Sequence, residues 1–443
     1  MDRRRTYLRS LLALLGAACL SQAGSAQTLY CDSPSCGCEA AHAPAPALPE
    51  FGGCWCSRTK LTGDWHGART ALAANGVLVD ADSTLFYTGV TSGGVSRDFA
   101  FAGHNDYVVN MDMDKLAGRK GLFVKLRAEH RYGQSLVESV GALLPTAVSA
   151  DLPVADSENV YLTNVLFTQA LSESFAVFAG KMDTLDGDLN AFAHGRGKKQ
   201  FSNVAFVATP IALRSVPYST LGAGFAILDE GEPILTYTIL NPTDTTKTSG
   251  FDELFEEGVT MVLEGRVRTN FFNLPGHQLL AGTWSSREYI ALGQDPRIAL
   301  PNVPIQRQDG SWSLYWNFDQ YLVTDPQHPG WGWGVFGRAG IADKDTNPIE
   351  WFLSFGIGGN STICGREADT FGVGWYYTGL SDRVGPIIQT VLGPISDGQG
   401  VELFYNYEVT PWMHLTPDLQ IIEPARDNVD TAVVMGLRLN MAY

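Results

Sequence analysis

The last eleven residues restrict the fold more than any other part of the chain. Read in steps of two, Val433, Met435, Leu437, Leu439, Met441 and Tyr443 form an apolar row. The interleaved residues Ala432, Val434, Gly436, Arg438, Asn440 and Ala442 are small or polar, Val434 excepted. A period of two belongs to a strand with two unlike faces. Apolar residues outward to lipid, polar residues inward to water and an aromatic residue at the edge are what a membrane barrel requires of its strands.

Length and composition point the same way. The 443 residues exceed one ordinary soluble domain and suit either several domains or one large barrel. Outside the leader no run reaches the roughly 18 apolar residues of a transmembrane helix. Charged residues are 18% of the chain, below the usual share of about 25%. The net charge is −16. Loss of Met1–Ala26 removes four Arg and one Asp and leaves −19, which argues against nucleic acid as a partner.

The leader has the parts of an export signal. Arg3, Arg4 and Arg5 precede the short apolar run Leu11–Leu20, and Gly24-Ser25-Ala26 offers a cleavage site after Ala26. The run is too short for an anchor helix. A lipoprotein reading through Cys19 meets Gly16 where that signal carries Leu. Residues 27–60 then hold Cys31, Cys36, Cys38, Cys54 and Cys56, with an Ala–Pro spacer over Ala41–Pro49; Cys364 stands apart. Six cysteines in an exported chain favour disulfides. Spacings of one residue, as in Cys36-Gly37-Cys38 and Cys54-Trp55-Cys56, make a zinc site the lesser alternative. The expected organisation is a signal peptide (1–26), a Cys- and Pro-rich arm (27–60), a short amphipathic helix (61–76) and a barrel (77–443). In the helix, Asp64 suits an N-cap, Trp65, Ala68 and Leu72 share a face, and Gly76 suits a left-handed stop.

From Val77 onward alternation recurs. Leu122, Val124, Leu126 and Ala128 oppose Lys125, Arg127, Glu129 and Arg131. Tyr107, Val109, Met111 and Met113 oppose Asn110, Asp112 and Asp114. Met261, Leu263 and Val267 oppose Glu264, Arg266 and Arg268. Trp312, Leu314, Trp316 and Phe318 oppose Ser313, Tyr315, Asn317 and Asp319. Similar rows follow around Trp333, Trp351, Trp375 and Leu403. We expect about 16 such strands, many near the 9–11 residues of a tilted membrane strand. The apolar rows are rich in aromatics, as an interfacial girdle needs, and lipid-exposed strands must close into a barrel. The fold class is therefore all-β: a transmembrane antiparallel β-barrel with a short N-terminal helix and a Cys-rich arm.

Two sequence blocks then resemble a known family. Val409-Thr410-Pro411-Trp412-Met413-His414-Leu415-Thr416-Pro417-Asp418-Leu419-Gln420, followed by Val433-Val434-Met435-Gly436-Leu437-Arg438-Leu439, resembles the C-terminal signature of the carbohydrate-selective outer-membrane porins, the OprB family. Leu61-Thr62-Gly63-Asp64-Trp65-His66-Gly67-Ala68-Arg69-Thr70-Ala71-Leu72 is similar to its opening motif, and Phe178-Ala179-Gly180-Lys181-Met182-Asp183 to an internal one. The cysteine-rich leader departs from the family pattern. The resemblance implies an outer-membrane barrel of about 16 strands through which small sugars diffuse to the periplasm, with no cofactor.

Sixteen strands leave an aqueous lumen, and selectivity comes from side chains at its narrowest point. By strand phase the lumen candidates are Lys125, Arg127, Glu129 and Arg131, then Glu264, Arg266 and Arg268, then Arg338, Arg438 and Asn440. Arg beside Glu can donate to and accept from sugar hydroxyls. Tyr315 and Tyr376 share the lumen phase and are the aromatic platform candidates, whereas Trp312, Trp316, Trp331, Trp333 and Trp375 fall on the lipid phase. One bulge would invert such assignments. The acidic run Asp183–Asp188 reads as a turn between strands; it lacks calcium-loop spacing. No Gly-x-Ser-x-Gly elbow, phosphate loop or His-Glu-x-x-His occurs. Small sugars and outer-membrane lipid are the expected partners. A homo-oligomer and a contact between arm and cell wall stay open, as do a general porin and a secreted all-β carbohydrate-binding or hydrolysing protein.

Overall fold

The computed structural model describes residues 51–443, except 296, 298–301, 327, 329 and 385–392. The expected signal peptide, the Ala–Pro spacer and Cys31, Cys36 and Cys38 lie outside the described residues.

Sixteen antiparallel strands close into one barrel. They are β1 (Val77–Gly94), β2 (Phe99–Asp112), β3 (Leu122–Gly133), β4 (Val160–Ser172), β5 (Phe175–Asp183), β6 (Ser219–Asp229), β7 (Glu232–Leu240) and β8 (Thr260–Phe271). The rest are β9 (Leu274–Ile290), β10 (Arg307–Thr324), β11 (Gly332–Ala342), β12 (Ile349–Asn360), β13 (Thr370–Leu380), β14 (Gly398–Thr410), β15 (Met413–Glu423) and β16 (Asp430–Ala442). Each strand pairs with its neighbours in sequence, and β1 pairs with β16 from Asp82↔Ala442 to Gly94↔Asp430. This last pairing leaves no open edge, which hydrocarbon would not tolerate.

The alternation in β16 has the consequence its sequence demands. Met435 and Leu437 point out and are exposed, while Arg438 and Asn440 point in and are buried. The exception, Val434, packs inside with Val90, Ile422, Leu136 and Val140. Elsewhere Tyr87, Phe101, Leu263, Leu280, Trp312, Trp316 and Phe355 stand on the outer surface. Exposed apolar surface of this kind is stable only against lipid. At one end several connections are two-residue turns: Glu230-Gly231 and Phe272-Asn273 have positive φ at both residues, the type I′ geometry that matches strand twist. The other end carries the long loops, above all 134–159 and 184–218.

Three expectations need correction. The β2 alternation stops at Asp112 rather than running through Met113, because Asp112 caps a helical turn, Met113–Ala117, by accepting from the Asp114 amide. The N-terminal helix is shorter than 61–76. It comprises a 3-10 turn Trp65–Gly67 and a helix Ala68–Ala74, divided by a left-handed Gly67. Its Trp65–Leu72 face is not the buried one: Arg69 and Ala73 are buried instead. The Arg69 guanidinium donates to Val79 O at 2.8 Å and Tyr443 O at 2.6 Å, so the helix ties the start of β1 to the chain end after β16 through backbone carbonyls. Finally, Cys54 and Cys56 are exposed free thiols, so the disulfides expected of the leader do not include them; Cys364 is disulfide-bonded.

Candidate functional site: the pore and its inward loop

Loop 184–218 folds into the lumen, and the acidic run at its start is no simple turn between strands. It opens with a 3-10 turn, Thr184–Gly187, and continues through short helical turns at Gly195–Gly197, Val204–Val207 and Pro210–Arg214. Its apolar stretch packs against one wall. Phe201 and Phe206 lie with Phe336, Phe404 and Tyr376 in a dry cluster, with ring centroids 4.6 Å apart for Phe201–Phe206 and 4.8 Å for Phe201–Phe404. Glycines make room for it: a Cβ on Gly374 would stand 2.5 Å from the Phe206 ring, and one on Gly340 2.5 Å from Ile211. The loop thus fills the lumen along β11–β14.

Charge fixes the rest of the loop. Arg196, which is buried, reaches Glu129 at 2.6 Å, Asp183 at 2.7 Å and Asp186 at 3.0 Å. Lys198 reaches Asp106 at 2.6 Å and Asp82 at 2.9 Å. Arg127 reaches Asp186 at 2.6 Å, Asp183 at 2.8 Å and Asp106 at 3.3 Å. The Tyr218 hydroxyl donates to Glu129 at 2.6 Å. Charges this deep persist only when paired and hydrogen-bonded. Burial works against the Arg196 cation, yet Asp183, Tyr218, Glu129 and Asp106 outweigh it and hold its pKa well above the usual arginine value. Burial likewise opposes the Asp186 carboxylate, and Arg196, Arg127 and Lys125 overcome it and pull the group below the ordinary carboxylate range. His104, Asp106 and Glu129 present three ligand atoms within 4.8 Å of one another, but Arg127, Arg196 and Lys198 already supply the positive charge a metal would bring.

A cavity of about 860 Å³ stays open beside the loop. It runs between that loop, with residues 143–152 of loop 134–159, and the wall built by β3–β10. The barrel side is mixed: Lys125, Asn164, Thr236, Thr238, Glu264, Tyr315 and Asn317 face the cavity beside Leu166, Phe178, Met182, Val262 and Leu279. Asp186 and Asp188 join from the loop. The loop side is largely apolar, with Leu144, Leu152, Leu185, Leu213, Val216 and Pro217. Glu264 and Tyr315 are brought together by a small residue. Both pair with Ala281 on β9, and over that methyl group the Tyr315 hydroxyl donates to Glu264 Oε1 at 3.1 Å.

The expected lumen residues divide into two sets. All face inward, but only Lys125, Glu264 and Tyr315 line the cavity. Lys125 donates to Asp186. Arg127 and Glu129 are covered by the inward loop and hold it. Arg131 lies under loop 134–159 and donates to Ala155 O and, at 2.5 Å, to Gly133 O. Arg338 is fully buried, 2.7 Å from Asp188 and donating to Phe206 O at 2.9 Å. Arg438 donates to Gly197 O at 2.7 Å and meets Asp418 at 3.3 Å. Asn440 donates to Thr84 Oγ1 at 2.8 Å. Tyr376 packs on Phe206, centroids 5.8 Å apart, and presents no free face. Arg266 donates to Leu189 O at 3.4 Å, and Arg268 pairs with Glu230 and Glu232 at the tight-turn end.

Strand phase alone did not single out Asp186, Asp188, Arg196, Lys198 and Tyr218, because they sit on the loop. The signal was present: an acidic run, then Gly195-Arg196-Gly197-Lys198-Lys199, then an apolar stretch, over a connection far longer than a hairpin needs.

Comparison with known proteins agrees with this architecture. The family described as carbohydrate-selective porin, OprB family, matches residues 96–443. Porin B of Pseudomonas aeruginosa is 23% identical over 438 residues, covering 86% of this chain and 91% of that protein. The high pH structure of Pseudomonas putida OprB has a TM-score of 0.77 at 19% identity, covering 88% of this chain and 100% of that one. Its low pH structure has a TM-score of 0.53 at 16% identity, covering 88% and 99%. These structures show the fold, and the match over most of the chain shows the lineage. The chain belongs to the carbohydrate-selective porin (OprB) family and is an outer-membrane channel, not an enzyme.

Proposed function

We propose that sugars cross this porin through the cavity between the inward loop and the β3–β10 wall, and that Lys125, Asp186, Asp188, Glu264, Tyr315 and Asn317 are the side chains they meet. The mixed polar and apolar lining of that cavity carries the reading. Donors and acceptors along the barrel side can exchange with the hydroxyls of a sugar, and the Tyr315 ring and the apolar loop side suit its C–H surface. The passage replaces some of the water hydrogen bonds of a sugar without binding it too tightly to leave.

In this reading Arg127, Glu129, Arg131, Arg338 and Arg438 act one step away from the solute: they hold the loops that set the bore. Liposome swelling with sugars of increasing size tests the proposal. Monosaccharides should enter, and rates should fall steeply with each added ring. Equal rates for mono- and trisaccharides would contradict a bore set by the loops.

A further inference from the structure

The cavity also discriminates by charge. Its lining carboxylates are of two kinds. Asp183, Asp186 and Asp188 each meet a guanidinium or ammonium group of the chain. Glu264 meets none among the described residues; its one contact is the Tyr315 hydroxyl. The nearest cation along the strand, Arg266, is turned away, toward Leu189 O and Glu232. Thr236 pairs with Glu264 across β7 and β8 and faces the same cavity. At the long-loop end Asp151 and Asp244 also line the cavity with no ion pair among the described residues. Of the two cations on the lining, Lys125 is taken by Asp186. Arg214 donates to Thr346 O and lies over the Tyr289 ring. The groups along the path that lack an ion pair are therefore mostly carboxyl groups, with Glu264 at mid-depth, where a cation beside it would favour its charged form.

We propose that the pore prefers sugars bearing a protonated amine, amino sugars, over neutral sugars, with Glu264 as the specificity-determining residue. This rests on the sugar-porin reading above. A protonated primary amine has three N–H donors and no acceptor. Glu264 accepts one, the Thr236 hydroxyl is placed for a second, and the ring hydroxyls keep the remaining wall. In a narrow cleft of one sign the local concentration of an oppositely charged solute rises. Sugar acids meet the same field with the opposite sign and are disfavoured.

The test is uptake of radiolabelled D-glucosamine, D-glucose and D-gluconate into proteoliposomes of the full chain at neutral pH. At low ionic strength glucosamine should enter faster than glucose by on the order of tenfold, the lower end of what charge-lined clefts produce, and gluconate slower than both. Added salt should shrink the glucosamine advantage. Glu264→Gln, which keeps the shape and a hydrogen-bonding head, should bring the glucosamine-to-glucose ratio close to one, whatever it does to glucose itself. Equal entry of glucosamine and glucose in the parent overturns the proposal while leaving the sugar porin intact. A preference that Glu264→Gln leaves unchanged overturns the role of Glu264. No glucose entry in the parent removes the sugar-porin reading beneath both.

Discussion

Nη2 of Arg196 lies 2.6 Å from Oε1 of Glu129, so the centre of the inward loop is tied to β3 in the lumen. Asp183 at the end of β5 and Asp186 at the start of the same loop complete the grip. In the proposed path the bore depends on this latch as well as on the barrel. Arg196→Ala strips the cation from buried carboxylates, which costs about 3–5 kcal/mol when a buried pair loses one partner. The barrel keeps its closed ladder, so the loss falls on the loop. We expect normal insertion, a larger single-channel conductance and weaker discrimination among sugars, read from planar bilayers and liposome swelling.

Ala281 is the gap through which Tyr315 reaches Glu264. Ala281→Leu puts a branched side chain into that gap and into the cavity behind it. Sugar uptake should fall severalfold, with far less effect on small-ion conductance, because ions do not need the polar arc. An unchanged uptake rate would place the solute path elsewhere.

Phe206 is the apolar anchor of the loop, buried against Phe201, Phe336 and Tyr376. Phe206→Ala removes packing that typically contributes about 3–5 kcal/mol. Hydrogen exchange should show faster opening across 200–214, with the strands unaffected.

Acid should release the Asp186 part of the latch late. The Asp186 carboxylate is held below its ordinary range by Arg196, Arg127 and Lys125, which outweigh burial. A carboxylate depressed in the folded state contributes stability above its unfolded pKa, about 3.9, and loses it as pH falls through the lower folded value. Conductance should therefore stay level from pH 8 to about pH 4 and rise only below that. A rise near pH 6 would show that a carboxyl group of the latch other than Asp186, such as the buried Asp183, yields first and opens the loop.

Much of this architecture was legible in the residues. Strand count, closure and the lipid-facing rows followed from period two, because a strand between lipid and water has no freedom in which face is apolar. The inward direction of Lys125, Arg127, Glu129, Glu264, Tyr315 and Arg438 followed for the same reason. What phase could not give was depth of cover. Arg127 and Lys125 share a face of β3, yet the first lies beneath the loop and the second on the cavity, because Arg196 and Asp183 arrive from elsewhere in the chain. Tyr376 and Tyr315 look alike in sequence, but Phe206 covers one and not the other. The N-terminal helix misled for a different reason: Arg69 is buried for its hydrogen bonds to Val79 O and Tyr443 O, a demand that hydrophobic periodicity does not contain.

The central claim is that sugar passes along the Glu264–Tyr315 wall. The most direct test is a glucose titration of single-channel current in the parent and in the double variant Glu264→Gln, Tyr315→Phe. The account predicts that glucose lowers the parent current saturably, and that the variant needs roughly tenfold more glucose for the same effect, the equivalent of about 1.4 kcal/mol of lost contact. Superimposable titration curves for the two proteins would contradict it.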